Sequence, residues 1–367
     1  MDTVTARTAI ETPLQALHAQ AGATIGAWFG SALPDRFGED WQAEYRAARE
    51  SVVLIDKNYR AYLRFRGADR VRYLNAILTN NIRDLSEGHG IVSLFLNPQG
   101  RIQAEIESYA ASDNLFCISY AMIRETLVPT LDRFIIMDEV TLIDETATFG
   151  SVAIEGPNAT AVVKKLTSID LASLEELAFQ EACVAGISSG LTRRSPGGVA
   201  GAEFLATRAD LPHLWQILRQ AVQQSGGRPM GYLALNALRL EQGVPWFGYD
   251  FGDKQIPHEA GLEHSHISYT KGCYTGQEIV ERVRSRGQVN RVRVLLKLDS
   301  VEPPVAGDAL PAEGNEAHVT RWAFSPALQT GIAMAYVRRE KAAAGSELTC
   351  RAGKATVIVP PLAALAT

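Results

Sequence analysis

Apolar and polar positions along the chain repeat a short pattern of period-two runs and helical stripes. Residues 60–66, RAYLRFR, alternate as a strand; Gly67 turns the chain, and Val71, Leu74, Ile77 and Leu78 recur at helical spacing over 68–80. IVSLFL and RIQAEIESY flank Asn97-Pro98-Gln99-Gly100, which predicts a hairpin with Ile102, Ala104 and Ile106 on one face. The run NLFCISY predicts a further strand, 122–135 a helix and 139–144 a last strand. That order is a ferredoxin-like split βαβ layout.

A second pass begins at once. SVAIEGPNATAVVKKL again reads as strand, glycine turn and helix, with Pro157 at the first turn. EACVAGISSGLTRR and AGAEFLATR flank Ser195-Pro196-Gly197-Gly198 as a hairpin, and Leu214, Ile217, Leu218 and Val222 mark a helix. From about 290 the runs RVRVLLKLD, AHVTRWAF, GIAMAYV and KATVIV alternate with Pro/Gly-rich turns, the mark of a small all-β domain. The predicted fold class is α+β: two ferredoxin-like sheet-and-helix units at 1–147 and 148–288, open to interleaving, and a C-terminal β-barrel at 289–367. A short amphipathic helix after Thr12-Pro13, carrying Leu14 and Leu17 and ending toward Gly22, reads as packing.

Composition narrows the chemistry. The chain has 367 residues, 46% hydrophobic and 21% charged, and no apolar run long enough to cross a bilayer. The start, MDTVTARTAIETPLQ, lacks a signal-peptide pattern, so a cytoplasmic location is expected. A net charge of −5 argues against wholesale polyanion binding. Cys117, Cys183, Cys273 and Cys350 form no C-x-x-C pair, so neither zinc nor a disulfide framework is indicated. Cys117, Cys183 and Cys350 read as small hydrophobes.

The densest chemistry lies between the second unit and the barrel. Residues 231–241 have helical spacing with Tyr232, Leu235 and Leu238 on one side, and Glu241 closes the helix just before Gly243, a C-terminal cap. A carboxylate there opposes the helix dipole. Two readings stand: a solvated surface glutamate, or an acceptor for an amidine-like ring edge of the kind found on pterins and guanines.

In KGCYTGQE, Thr275 and Glu278 have capping-box spacing, which predicts a helix from about 276 with Cys273 just outside its positive end. From Lys271 to Arg293 there are six basic residues (Lys271, Arg282, Arg284, Arg286, Arg291, Arg293) against two acidic ones (Glu278, Glu281), a balance of 6 − 2 = +4. These charges favour a thiolate at Cys273, and Gly272 and Gly276 permit close approach. The competing reading is a small residue in a tight turn. His258, His264 and His266, with Glu259 and Glu263, resemble a metal box, but the H-E-x4-H-x-H spacing lacks an i, i+4 pair of histidines, and no metal site is expected. The interspersed arginines read as a solvated face rather than a nucleic-acid contact.

KGCYTGQEIVER closely resembles the K-G-C-Y-x-G-Q-E signature of YgfZ-type folate-binding proteins, which include a related mitochondrial iron–sulfur assembly factor. From TPLQALHAQAGA through LNALRLEQGVPWFGYD to the barrel, the chain is similar to the glycine-cleavage T-protein superfamily. The resemblance implies a three-domain ring around a tetrahydrofolate pocket and a part in assembling or repairing [4Fe–4S] clusters, with an A-type iron–sulfur carrier or client enzymes as partners. It makes Glu241 the reader of the pterin edge and Cys273 the functional thiol, a ligand of a transient shared cluster. It also offers Tyr59 and Tyr232 as stacking rings, and makes Lys271, Gly272, Tyr274, Gly276, Gln277, Glu278 and Arg282 the motif. T-proteins that transfer an aminomethyl group carry an aspartate pair shortly after the turn matching NPQG; here that offset reads Ala104-Glu105. The departure ranks an accessory iron–sulfur factor first, a folate-dependent aminomethyltransferase second, and an RNA-binding factor a distant third.

Overall fold

The computed structural model describes residues 9–194, 199–301, 317–350 and 353–361. The protein is mixed α/β, and its contacts divide it into two compact units. One comprises Met1–Tyr73, Ile82–Ile91 and Ile106–Ala234; the other comprises Leu74–Asn81, Val92–Glu105 and Leu235–Thr367.

In the first unit a six-stranded sheet runs Phe179–Val184, Ile187–Arg193, Gly201–Thr207, Phe149–Glu155, Val53–Asp56, Arg228–Pro229. Val53–Asp56 is wholly buried, so its backbone groups need neighbours on both sides. It pairs antiparallel with Phe149–Glu155, with Asp56 opposite Val152, and parallel with the short edge strand ending in Pro229. A boundary at 147/148 therefore does not divide the sheets. The helices Ala159–Thr167 and Leu211–Gln224 turn Val162, Val163, Leu214, Leu218 and Val222 onto Val152, Ile154, Leu191 and Phe204 in one apolar core. The expected hairpin turn at 195–198 lies outside the described residues.

The pattern gave residues 23–37 no element, yet Ala23–Trp28 and Ser31–Phe37 pair antiparallel. Gly26 and Pro34 interrupt the alternation there. The helix Trp41–Glu50 also lies where the pattern predicts none, although Asp40 carries the usual signal, accepting from the backbone N–H groups of Gln42 and Ala43 at 2.9 and 3.2 Å.

A five-stranded sheet follows the order Gly90–Leu96, Ile102–Ala110, Asn114–Tyr120, Arg60–Arg66, Thr141–Asp144, matching the expected runs. Its hairpin turn is closed by Asn97, whose Oδ1 accepts from Gln99 N and Arg101 N at 3.0 and 2.9 Å. In the second unit the barrel-like sheet orders Ala317–Ser325, Thr330–Arg338, Arg291–Leu298, Gly353–Ile358 and Glu347–Cys350. Leu296, Leu298, Val319, Ala333, Ala335 and Val357 form its core. No helix among the described residues is long and apolar enough to cross a membrane.

Candidate functional site

The second unit gathers the NPQG turn, the segment after Leu262 and the KGCYTGQE motif around one short stretch of backbone. Strand alternation buries Ala104 completely and puts Glu105 on the other face. Glu105 Oε1 lies 3.0 Å from His266 Nε2, with 14% and 11% of the two side chains exposed. Ser265 Oγ is 2.7 Å from His266 Nδ1. A carboxylate only accepts, so Nε2 donates to Glu105 and Nδ1 is left to accept the Ser265 hydroxyl. Thr79 fixes the segment: its hydroxyl donates to His266 O at 2.6 Å and accepts from Leu94 N at 2.8 Å. The arrangement is a carboxylate–imidazole pair held by its second nitrogen, able to take up and return a proton at a reacting group.

Each residue of the motif has a distinct place. Lys271 Nζ donates to the carbonyl oxygens of Asn75, Leu78 and Asn80 at 2.5, 2.5 and 2.9 Å, satisfying a helix end, and lies 5.3 Å from the Tyr274 ring centroid. Tyr274 is buried, whereas Gly272 and Cys273 are exposed. The helix is Gln277–Arg286, with Glu278 in its first turn and Arg282 exposed. Its N-cap is Gly276, in the left-handed region at φ 81°, so the capping box predicted from Thr275 does not form. Gly276 turns there because it presses on the hairpin: a Cβ on it would meet Asn97 O at 2.6 Å and Gly100 Cα at 3.3 Å. Of the six basic residues, Lys271 is engaged as a cap, and Arg293 donates to Ala260 O and Gly243 O at 2.8 and 3.2 Å.

Glu241 is fully buried rather than solvated, and Ser325 Oγ donates to its Oε1 at 2.6 Å. Arg239 in the same helix pairs with Asp250. The histidines separate: His266 joins Glu105, His264 is exposed, and His258 Nε2 is 3.2 Å from Tyr269 Oη. Among the described residues no group of ligating side chains could hold a metal ion. Cys117 is buried as expected; Cys183 is exposed, against expectation, because strand alternation buries Ala182 and Val184 and turns Cys183 to the other face. The side chain of Cys350 lies outside the described residues.

The first unit holds a buried polar cluster that the sequence reading missed. Arg60 donates from Nη1 to Glu107 Oε1 at 3.2 Å and from Nη2 to Glu203 Oε2 at 2.9 Å. Ser151 Oγ donates to Glu203 Oε1 at 2.7 Å, and Lys57 pairs with Glu155 at 3.1 Å. Burial alone would raise the Glu107 carboxyl, but Arg194 and Arg60, with the Tyr109 hydroxyl, hold it down at about 2. Tyr59 stacks on Phe29 with ring centroids 4.3 Å apart, and Tyr232, 1% exposed, donates its hydroxyl to Asp56 O at 2.7 Å. The available signal was a charged residue inside a strand otherwise apolar, as with Glu203 in AGAEFLATR.

Residues 14–267 match the model of the GCVT N-terminal domain, and residues 291–362 match that of the glycine cleavage T-protein C-terminal barrel domain. The chain belongs to the glycine-cleavage T-protein superfamily. Among curated members, an aminomethyltransferase of Streptomyces avermitilis is 28% identical over 339 residues, covering 91% of each chain. One of Koribacter versatilis is 29% identical over 345 residues, covering 91% of this chain and 89% of that protein. The crystal structure of glycine cleavage system aminomethyltransferase T from Bartonella henselae superimposes with a TM-score of 0.85 at 24% identity, over 96% of this chain and 98% of that one, and shares its fold. These relatives support the transferase branch, ranked second on sequence, and give the iron–sulfur assembly reading no support.

Proposed function

We propose that this chain is a folate-dependent one-carbon transferase of the aminomethyltransferase type. The observation that carries the reading is the Glu105–His266 pair: the carboxylate that replaces the superfamily's aspartate pair is not adrift on a longer arm but is fixed at 3.0 Å by an imidazole. The residues present fit the pterin half of tetrahydrofolate. An amidine edge needs a buried carboxylate, and Glu241 is fully buried, with Ser325 Oγ donating to its Oε1 at 2.6 Å. Glu241 would thus read the ring edge, while the Glu203 carboxylate is engaged by Arg60 Nη2 and Ser151 Oγ and the Tyr59 ring is stacked on Phe29.

Tetrahydrofolate, when bound, supplies the nitrogen that accepts a one-carbon unit. Glu105 takes a proton at Oε2, the oxygen turned from His266, while the Nε2–H bond to Oε1 keeps the carboxylate in one rotamer. Ser265 holds the ring in the tautomer that this bond requires.

The test combines calorimetry with turnover. Tetrahydrofolate should bind, and Glu241→Gln should weaken it about 10- to 150-fold, the loss of a charged hydrogen bond of roughly 1.5–3 kcal/mol. With an aminomethyl-loaded lipoyl carrier the protein should turn over repeatedly, and Glu105→Gln should lower kcat by about 100-fold or more at unchanged folate affinity. A protein that binds folate but never turns over would refute the transfer reading; one that does not bind folate would refute both parts.

A further inference from the structure

In the second unit, two adjoining clefts of about 600 and 340 Å3 open where the helix Gln277–Arg286 gives way to the barrel-like sheet, and they share Gln288, Val289 and Arg339. Their walls carry Arg284, Arg291, Arg338 and Arg339. Arg291 and Arg338 stand directly opposite each other on paired antiparallel strands, a placement of like charges that destabilises a sheet unless an anion lies near. Neither these two nor Arg339 has a side-chain ion pair or hydrogen bond among the described residues. The Arg284 guanidinium lies 4.2 Å over the Tyr269 ring and donates from Nη1 to both carboxylate oxygens of Glu281 at 3.4 Å.

The larger cleft is lined by two further polar side chains with something left to satisfy. His258 Nδ1 and Glu263 Oε2 are buried and have no hydrogen-bond partner among the described residues. Val283, Val289 and Val292 provide an apolar wall beside them.

We propose that this groove binds nucleotide phosphates, free or within single-stranded RNA, with a base against the valine wall. The cations are all arginines, whose planar fork matches phosphate oxygens two at a time. The volumes are those of a site for one nucleotide and a neighbouring phosphate. Glu263 requires a donor, which the N–H groups of a base edge provide. The chain carries a net charge of −5, so this concentration of arginine is no general excess. The arginines read from sequence as a solvated face become a groove only because Arg338 and Arg339, far along the chain, join Arg284 and Arg291.

The test uses the full chain in low salt, titrated calorimetrically with AMP, GMP, inorganic phosphate, an unstructured hexanucleotide RNA and tetraglutamate. A nucleotide or the RNA should bind at least tenfold more tightly than inorganic phosphate. The double variant Arg338→Gln, Arg339→Gln should weaken it tenfold or more and flatten the salt dependence of RNA binding by about 1.4, roughly 0.7 per lost phosphate contact. Glu263→Gln should weaken nucleotide and leave inorganic phosphate unchanged. Tetraglutamate binding as tightly as RNA, no binding by any nucleotide, or indifference to the double variant would each overturn the proposal. Arg291→Gln, at an exposed strand start, repeats the test should the double variant fold poorly. Folate affinity, measured on the same variants, should not change, which keeps this result separate from the transferase reading.

Discussion

Lys271 Nζ has three N–H donors, and the carbonyl oxygens of Asn75, Leu78 and Asn80 receive them. The lysine predicted to acidify a thiol is thus anchoring the segment that carries it. Lys271→Met should therefore cost about 1–3 kcal/mol of stability, seen in urea melts; an unchanged midpoint with slower alkylation of Cys273 would return the lysine to the thiol. Cys117 differs from Cys273 by burial, which pushes its thiol up to about 12. Native-state iodoacetamide at pH 8 should label Cys273 and Cys183 and spare Cys117, as read by peptide mass spectrometry. At this scale the motif letters were legible, but their partners were not.

At the scale of elements, the contact between the hairpin turn and the helix Gln277–Arg286 depends on two glycines. A Cβ on Gly100 would lie 2.9 Å from Ile279 Cβ, and one on Gly276 would lie 2.6 Å from Asn97 O while its φ stays at 81°. Gly276→Ala combines left-handed strain with a backbone clash and should cost about 2 kcal/mol or more. Gly272→Ala, with nothing within 4 Å, should stay within about 0.5 kcal/mol. Equal effects of the two substitutions on the urea midpoint would rule out the packed turn. Alternation and turn chemistry revealed most strands here; the pair at 23–37 escaped because its alternation is broken by Gly26 and Pro34.

For the whole molecule, two buried carboxyls of the first unit give stability opposite dependences on pH. Burial raises the Glu44 carboxyl to about 7, although Gly231 N–H and Phe37 N–H donate to it at 2.7 and 2.5 Å. A folded value above the ordinary 4.5 stabilises the fold at low pH, and that contribution is lost as pH rises through about 7; its size is about 3 kcal/mol. Glu107, held at about 2, contributes above its ordinary 4.5 and is lost as pH falls through about 2. Denaturation followed against pH should show a maximum between these limits, and Glu44→Gln should flatten the limb above pH 5; an unaltered limb would mean that Glu44 does not titrate there. By itself the sequence determined most of the strands and helices, the fold class and the superfamily, because periodicity and turn residues act within a few positions of one another. Only the tertiary structure decided that Val53–Asp56 pairs across the expected boundary, that Ser325 occupies Glu241 across 84 positions, and that His266 holds Glu105 across 161. Closing such loops costs little more as they lengthen, so nothing local marks the partners; burial and the need of each polar group for a hydrogen bond select them.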